Sequence, residues 1–355
     1  MSIKPGALRF NTDSMKLEIF RGSANYEGSA SMAGIGTLAA GQWEEIQATS
    51  PDVQTGGTRG VFSGIGGYPN ITNVMNYVNI STTGDGTDFG DLTLPTRYGN
   101  AIGSRTRGIV YEGITPSATY DTDIQYFTFA STGNTIDFGG NSTQGRYGAL
   151  GLSNSTRGLR GGGNTPSGNS DVIDYITMAS TGVDAQDFGD LTTTILAGAA
   201  GNQVASSTRG IFAGGDTPTT IASMDFVTIN TLGNAADFGD LNTARRSMMS
   251  ASNATRGFVG GGTNPTMLSS IERIQLATLG SAVDNGDLSA AKQSGATSAS
   301  STRMVFAGGY APAPTRVNVI EYKQFASDGD VIDFGDLLGA TVNITGMSNG
   351  HGGLG

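Results

Sequence analysis

The feature that most constrains this chain is a repeat of about fifty residues. The tripeptide Thr-Arg-Gly, or a close variant, recurs at intervals of 47 to 52 residues, with its arginine at Arg59, Arg107, Arg157, Arg209, Arg256 and Arg303. Each arginine is followed by a short apolar stretch that ends in glycines. A loop that contains proline comes next, at Pro69, Pro116, Pro166, Pro218, Pro265 and Pro312. A period of this length indicates a stack or a ring of equivalent supersecondary units.

Each repeat contains the material for four short strands. After the loop, polar residues alternate with large ones, as in DYITM from Asp174 to Met178, and this alternation predicts a half-buried strand. A turn glycine then leads into DFGDL or a relative, and a stretch of small residues such as SMMSASNA precedes the next Thr-Arg-Gly. No helical pattern is present, and 56 glycines suit tight turns and close-packed strands. We therefore predict an all-β propeller with four-stranded blades, in which the small residues form the innermost strand.

The order of these features resembles the kelch repeat, whose blades run from an apolar strand with a double glycine to a tyrosine strand and a tryptophan strand. The tyrosine position is filled by Tyr77, Tyr126, Tyr175, Phe226 and Tyr322, with Arg273 as the exception, and phenylalanine stands where kelch has tryptophan. A basic residue often leads the kelch blade, and Arg97, Arg146, Arg246 and Lys292 fill that place. The resemblance implies a kelch-like propeller. It does not imply a function, because one fold hosts many functions.

The two ends of the chain bear on the number of blades. ALRFN, KLEIFRG and QWEEI near the N-terminus read as three strands, and ATVNITGMSN near the C-terminus reads as one. We predict a single domain over 1–355 with seven blades, the seventh closed by one C-terminal and three N-terminal strands so that no sheet edge stays open. The predicted blades are 47–92, 93–140, 141–191, 192–241, 242–288, 289–337, and 338–349 with 1–46. The alternative is six blades with an N-terminal hairpin that docks on a partner.

Residues suited to catalysis are scarce. The chain has no cysteine, and its one histidine, His351, lies in a glycine-rich tail where we expect it to be exposed. The unrepeated polar residues Glu112, Arg160 and Arg273 are scattered along the chain. We predict no catalytic, cofactor-binding or metal site. The repeated arginines are expected to pair with blade aspartates such as Asp91, Asp190, Asp240 or Asp336; the alternative is a ring of guanidinium groups that binds an anion.

The functional expectation depends on charge and on a second resemblance. A net charge of −10 without a basic cluster argues against nucleic acid, and no apolar run is long enough for membrane insertion. The segments 8–22 and 43–46, the six repeats and the ending SNGHGGLG resemble kelch-like virion proteins of contractile-tailed phages of marine cyanobacteria.

This resemblance implies a non-enzymatic structural protein of the tail, baseplate or a fibre, made in the host cytoplasm and located in the virion. Its partners would be other virion proteins, with a host-surface glycan or protein as a further partner during host adsorption. The proline loops vary most between repeats, so we expect them to form the binding face. The alternatives are a carbohydrate-active propeller enzyme and a cellular kelch-type scaffold.

Overall fold

A computed structural model describes residues 7–11, 16–21, 42–45, 57–64, 71–198, 202–312 and 315–354. The chain forms two compact units, Met1–Gln54 and Thr55–Gly355. The described strands of the first unit, Leu8–Asn11, Lys16–Arg21 and Gln42–Glu45, pair in that order as an antiparallel sheet. They are the three strands that the sequence predicts near the N-terminus.

The second unit is a β-propeller of six blades. Each blade runs from an innermost strand to an outer strand through antiparallel neighbours. The strands, from the innermost outward, are Thr345–Ser348, Arg59–Ser63, Val74–Asn79 and Thr87–Asp91 in blade 1; Asn100–Gly103, Arg107–Tyr111, Asp123–Thr128 and Ile136–Asn141 in blade 2; Leu150–Ser153, Arg157–Gly161, Gly168–Thr177 and Gln186–Ile195 in blade 3; Arg209–Asp216, Thr220–Thr228 and Ala236–Asp240 in blade 4; Met249–Ser252, Arg256–Gly260, Ser270–Gln275 and Val283–Asp287 in blade 5; and Ala296–Ala299, Arg303–Ala307, Thr315–Gln324 and Ile332–Thr341 in blade 6.

Blade 4 is the irregular one. Its innermost position is held by residues that follow the short strand Asn202–Gln203, which pairs in parallel with Met249–Ser252 of blade 5. Ala205 bridges to Gly210, and the Ile211 amide donates to the Val204 carbonyl at 2.9 Å. Two further short strands, Asn164–Thr165 and Tyr310–Ala311, pair with the third strands of blades 3 and 6. The one described helical element is a 3-10 turn at Gly352–Leu354.

The prediction of seven blades is wrong, and the six-blade alternative is confirmed. The C-terminal strand Thr345–Ser348 does close the ring, but it pairs with Arg59–Ser63, with Thr345 opposite Ser63. The first repeat begins at its second strand, so blade 1 needs an innermost strand from elsewhere, and the C-terminus supplies it. The N-terminal strands are therefore not needed for closure, and they form a three-stranded sheet instead of the hairpin of the alternative.

Small residues do form the innermost strands, as predicted. Serine hydroxyls on these strands donate to carbonyls of the neighbouring blade, with 2.8 Å from Ser153 Oγ to the Gly103 oxygen and 2.8 Å from Ser252 Oγ to the Ala205 oxygen. A Cβ atom on Gly103 would lie 2.6 Å from the carbonyl oxygen of Ser348 in blade 1. The blades therefore approach each other near the axis at backbone distance, which larger side chains would prevent.

The DFGDL motif joins the outer strands of adjacent blades. The amide of the turn residue Gly233 in blade 4 donates to the Phe188 carbonyl of blade 3 at 2.9 Å, and Gly280 of blade 5 donates to Phe238 of blade 4 at 2.8 Å. Gly239 has a φ of 133°, and a Cβ atom there would lie 2.6 Å from the Gly280 carbonyl carbon. The glycine of the motif is thus required by a close approach between backbones.

Candidate functional site

The six repeated arginines lie at the six junctions between blades. Each donates from Nη1 to a backbone carbonyl near the end of the third strand of the next blade: Arg209 to Leu276 at 2.7 Å, Arg256 to Phe325 at 2.8 Å and Arg303 to Ser81 at 3.0 Å. The others follow the same rule, Arg59 to Phe129, Arg107 to Ala179 and Arg157 to Ile229. The guanidinium groups therefore occupy separate junctions and do not converge on an anion.

Five of these guanidinium groups also stack on the aromatic residue of their own third strand, with the carbon atom 4.6–5.0 Å from the ring centroid. In blade 5 the ring is replaced by Arg273. Each aromatic ring in turn meets the phenylalanine of the DFG segment edge-on, as Phe226 meets Phe238 at 6.1 Å. The expected aspartate pairing is wrong: the acceptors are carbonyls, because the Thr-Arg-Gly turn faces the strand end of the next blade.

At the opposite end of the innermost strands, six backbone hydrogen bonds run around the axis in a closed ring. Each amide donates to the equivalent carbonyl of the preceding blade at 2.7–3.4 Å, and the ring residues are Tyr98, Gly148, Ala197, Ser247, Ser294 and Asn343. All but Ala197 have a positive φ, which for the four that are not glycine is uncommon. At these four positions the backbone is strained, and the hydrogen bonds of the ring offset the conformational free energy of that strain.

A depression of about 420 Å³ opens above this ring. The residue before each ring residue lines it, and this position carries five different residue types in the six blades: Arg97, Tyr147, Leu196, Arg246, Gln293 and Val342. Tyr310 and Arg316, which flank the proline loop of blade 6, complete its wall with ring residues. We call this the axial depression. The side chains that line it are not conserved from one repeat to the next, unlike those at the junctions between blades.

The described proline loops lie at the same end of the propeller as the axial depression. Bridges join the start of the loops of blades 2 to 6 to the lining position of the same blade, such as Arg97 with Ile114, Arg246 with Thr263 and Gln293 with Tyr310. The loop prolines Pro116, Pro166, Pro218, Pro265 and Pro312 are exposed, and Pro69 lies outside the described residues. We call this end the loop face.

The C-terminal residues cover the other end of the axis. His351 is buried there, which makes the expectation of an exposed histidine wrong. Its Nε2 lies 2.7 Å from the Gly103 carbonyl oxygen, and its Nδ1 accepts from the Gly353 amide at 3.2 Å. Arg105 donates to the Leu354 carbonyl. Burial lowers the pKa of His351 to about 4, because a charged imidazolium would lose its hydration there.

Two of the unrepeated polar residues that look scattered in the sequence meet in the interior. Arg160 Nη2 lies 3.5 Å from the Glu112 carbonyl oxygen, and both residues are buried between blades 2 and 3. Gln125 donates to the Glu112 carboxylate. Burial, with a smaller contribution from Asp121, raises the pKa of Glu112 to about 7. Arg273 is elsewhere, 3.5 Å from Asp328.

At the leading basic position of the repeat, a buried residue is followed by a neighbour that lines the axial depression. Arg146, Arg245 and Lys292 are buried and paired with carboxylates of the third strand, Asp174, Glu272 and Glu321. The next residue in each blade faces the axial depression. The sequence pattern predicts the first role for Arg97 and Arg246 although both have the second, and it does not single out Arg316. Aligning the repeats on Lys292 and Arg146 would have separated the two roles.

Aromatic rings cluster at one side of the axial depression. The Tyr98 and Tyr147 rings are 5.5 Å apart between centroids, and Tyr120 lies 5.6 Å from Tyr147 on the other side. Burial, followed by the neighbouring Tyr120 and Tyr98 hydroxyls, raises the pKa of Tyr147. The phenol is therefore a neutral hydrogen-bonding group at physiological pH, not a base.

No protein-family model and no curated protein matches this chain. Among the described residues, no helix is long and apolar enough to span a membrane. The same residues contain no cluster of three or more histidines or acidic residues that is arranged to hold a metal ion.

Proposed function

We propose that the protein is a non-enzymatic structural component of a tailed-phage particle, and that its loop face binds the partner. One observation carries the proposal: the repeated residues contact neighbouring blades, whereas unrepeated side chains line the axial depression. Arg209 and Gly239 represent the first group, and Arg246 and Tyr147 the second. Variable side chains on a rigid scaffold are the usual arrangement of a recognition surface.

The composition of the axial depression supports binding over hydrolysis. Its described lining contains no aspartate, glutamate or histidine. Glycoside hydrolysis usually requires a pair of carboxyl groups that flank the scissile bond. The buried acid Glu112 does not line the depression, so it does not supply this chemistry.

The assignment to a phage particle rests on the kelch-like repeats, the opening segments and the glycine-rich ending. Six blades joined by arginine clamps and by a closed ring of backbone bonds suit a protein that must keep its shape in a particle. Because one fold hosts many functions, the presence of the chain in purified particles is the direct test of this assignment.

The experiment is mass spectrometry of purified particles, followed by a cryo-EM reconstruction that gives the contacts of this chain. We expect the protein in the particle, with the loop face that carries Pro116, Pro166, Pro218 and Pro265 against a partner or open toward the host. The proposal would be contradicted if only the opposite end of the propeller, which carries His351, contacts other proteins of the particle and the loop face binds no ligand in solution. Turnover of any oligosaccharide by the purified protein would refute its non-enzymatic part.

A further inference from the structure

The charged residues that line the axial depression are opposite in sign to the net charge of the whole protein. The chain has 30 acidic and 20 basic residues, yet the described lining contains three arginines, Arg97, Arg246 and Arg316, and no acidic residue. A concave site lined by one sign of charge concentrates ligands of the other sign. The site therefore favours an anion, although the surface as a whole repels one.

The arginines come from different blades, so they surround the depression. Arg97 belongs to the start of blade 2, Arg246 to that of blade 5, and Arg316 to the third strand of blade 6. The side chain of Arg246 is 48 % exposed, and its Nη1 lies 2.6 Å from Asp216. A guanidinium has five N–H donors, so this one ion pair does not use up its capacity to bind a second carboxylate.

The remaining lining suits a sugar. Tyr98, Tyr147 and Tyr310 provide half-buried rings, and the aliphatic faces of pyranose rings stack on such aromatic surfaces. Gln293 and Asn343 provide amide groups that both donate and accept hydrogen bonds to hydroxyls. Among the described lining residues, only Leu196 and Val342 are aliphatic, so few contacts are present for the apolar anchors of a protein partner.

We propose that the axial depression binds an acidic saccharide, with the carboxylates of its sugar units held by the arginines and the sugar rings against the tyrosines. The volume of about 420 Å³ lies in the range of small-molecule sites and suits one to two sugar units. This inference deepens the proposed function, because it rests on the loop face being the binding face and names the chemical class of its ligand.

The test uses isothermal titration calorimetry of the full chain with trigalacturonic acid. The matched control ligand is its methyl ester, which keeps every sugar ring and removes the charge. We expect binding of the acid that weakens as salt is raised, and affinity for the ester that is at least tenfold lower. Equal affinity for the two ligands, or no binding of the acid, would overturn the proposal.

Variants locate the site. Arg246→Gln should weaken trigalacturonic acid binding about tenfold, the loss expected for one charge-assisted contact. Tyr147→Ala should weaken it by a similar factor while Tyr147→Phe, which retains the ring, should have a smaller effect. Arg273→Gln is the matched control, an arginine of the same blade outside the depression, and should leave the affinity unchanged. Thermal melting of each variant separates misfolding from loss of binding.

A hexaglutamate peptide distinguishes this inference from the proposed function. If the peptide binds more tightly than trigalacturonic acid and Arg246→Gln weakens it, the ligand is an acidic protein segment. The saccharide proposal then fails, while the loop face remains a binding face. The particle reconstruction decides the proposed function separately, since it reports what touches the loop face whatever its chemistry.

Discussion

Replacing Arg209 with methionine tests the arginine clamp between blades. The substitution keeps most of the apolar stem and removes the 2.7 Å hydrogen bond to the Leu276 carbonyl, the stacking on Phe226 at 4.8 Å and a more distant contact with the Phe238 ring at 5.9 Å. A hydrogen bond from a charged donor contributes about 1.5–3 kcal/mol, and the lower end applies because Arg209 is half-buried. The cation–π contact adds about 0.5–1 kcal/mol.

Arg256→Met is the matched control. Arg256 makes the same carbonyl bond, to Phe325 at 2.8 Å, but Arg273 stands where the other blades have an aromatic ring. We expect urea unfolding to give a loss of about 2–2.5 kcal/mol for Arg209→Met and about 1.5 kcal/mol for Arg256→Met. For a propeller of this size the loss in the Arg209→Met variant corresponds to a fall in Tm of about 3–4 °C.

The difference between the two variants isolates the stacking contribution. A double-mutant cycle of Arg209→Met with Phe226→Leu should give a coupling energy of about 0.5–1 kcal/mol. Equal losses of unfolding free energy in Arg209→Met and Arg256→Met, or a coupling energy near zero, would show that the contact with the aromatic ring does not contribute to stability. No loss in either variant would refute the role of the carbonyl bond in joining the blades.

Three further perturbations probe other parts of the propeller. Gly103→Val should cost roughly 3 kcal/mol or more, because the new Cβ atom would lie 2.6 Å from the Ser348 oxygen of blade 1; circular dichroism melting measures the loss, and an unchanged Tm would contradict the close approach. The pKa of Glu112 is raised to about 7 in the folded chain, so the wild type loses stability as pH rises from 4.5 to 7. Glu112→Gln should therefore leave the free energy of unfolding unchanged near pH 4.5 and raise it by about 1–3 kcal/mol above pH 7. The wild type should lose stability as pH falls from 6.5 to 4, because the pKa of His351 is lowered to about 4 and the unfolded chain binds the proton first. His351→Gln should reduce this loss. If the free energy of unfolding of either variant, Glu112→Gln or His351→Gln, follows the same pH dependence as that of the wild type, the corresponding titration argument is wrong.

The contents of a blade could be predicted from the sequence because each contact is repeated around the ring. A glycine such as Gly239 and a phenylalanine such as Phe238 recur at fixed offsets, so a single physical reason accounts for all copies. The atom that each repeated arginine contacts could not be predicted from the sequence. The acceptor of Arg209 is a main-chain oxygen 67 residues away, and backbone atoms leave no mark in a sequence pattern.

Ring closure could not be predicted from the local patterns of the two ends. Both ALRFN near the N-terminus and NITGMSN near the C-terminus read as strands, and local pattern does not say which of them will pair with Arg59–Ser63. That choice depends on which strand can reach the free inner edge of blade 1. The C-terminal strand Thr345–Ser348 follows directly from the outer strand of blade 6, so it reaches this edge through a short connection.

The axial depression could not be predicted from the repeat pattern, because the residues that line it are not the same in every repeat. Arg245 and Arg246 are adjacent and chemically identical, yet the first is buried against Glu272 and the second opens onto the axis. Both residues lie in the connection before the strand Met249–Ser252, where Arg246 bridges to Thr263, and adjacent residues of an extended segment point to opposite sides. The lining position therefore tolerates any side chain that leaves the backbone ring intact. A propeller of this kind can acquire a new ligand by changing Arg246 and its five counterparts while every junction between blades stays the same.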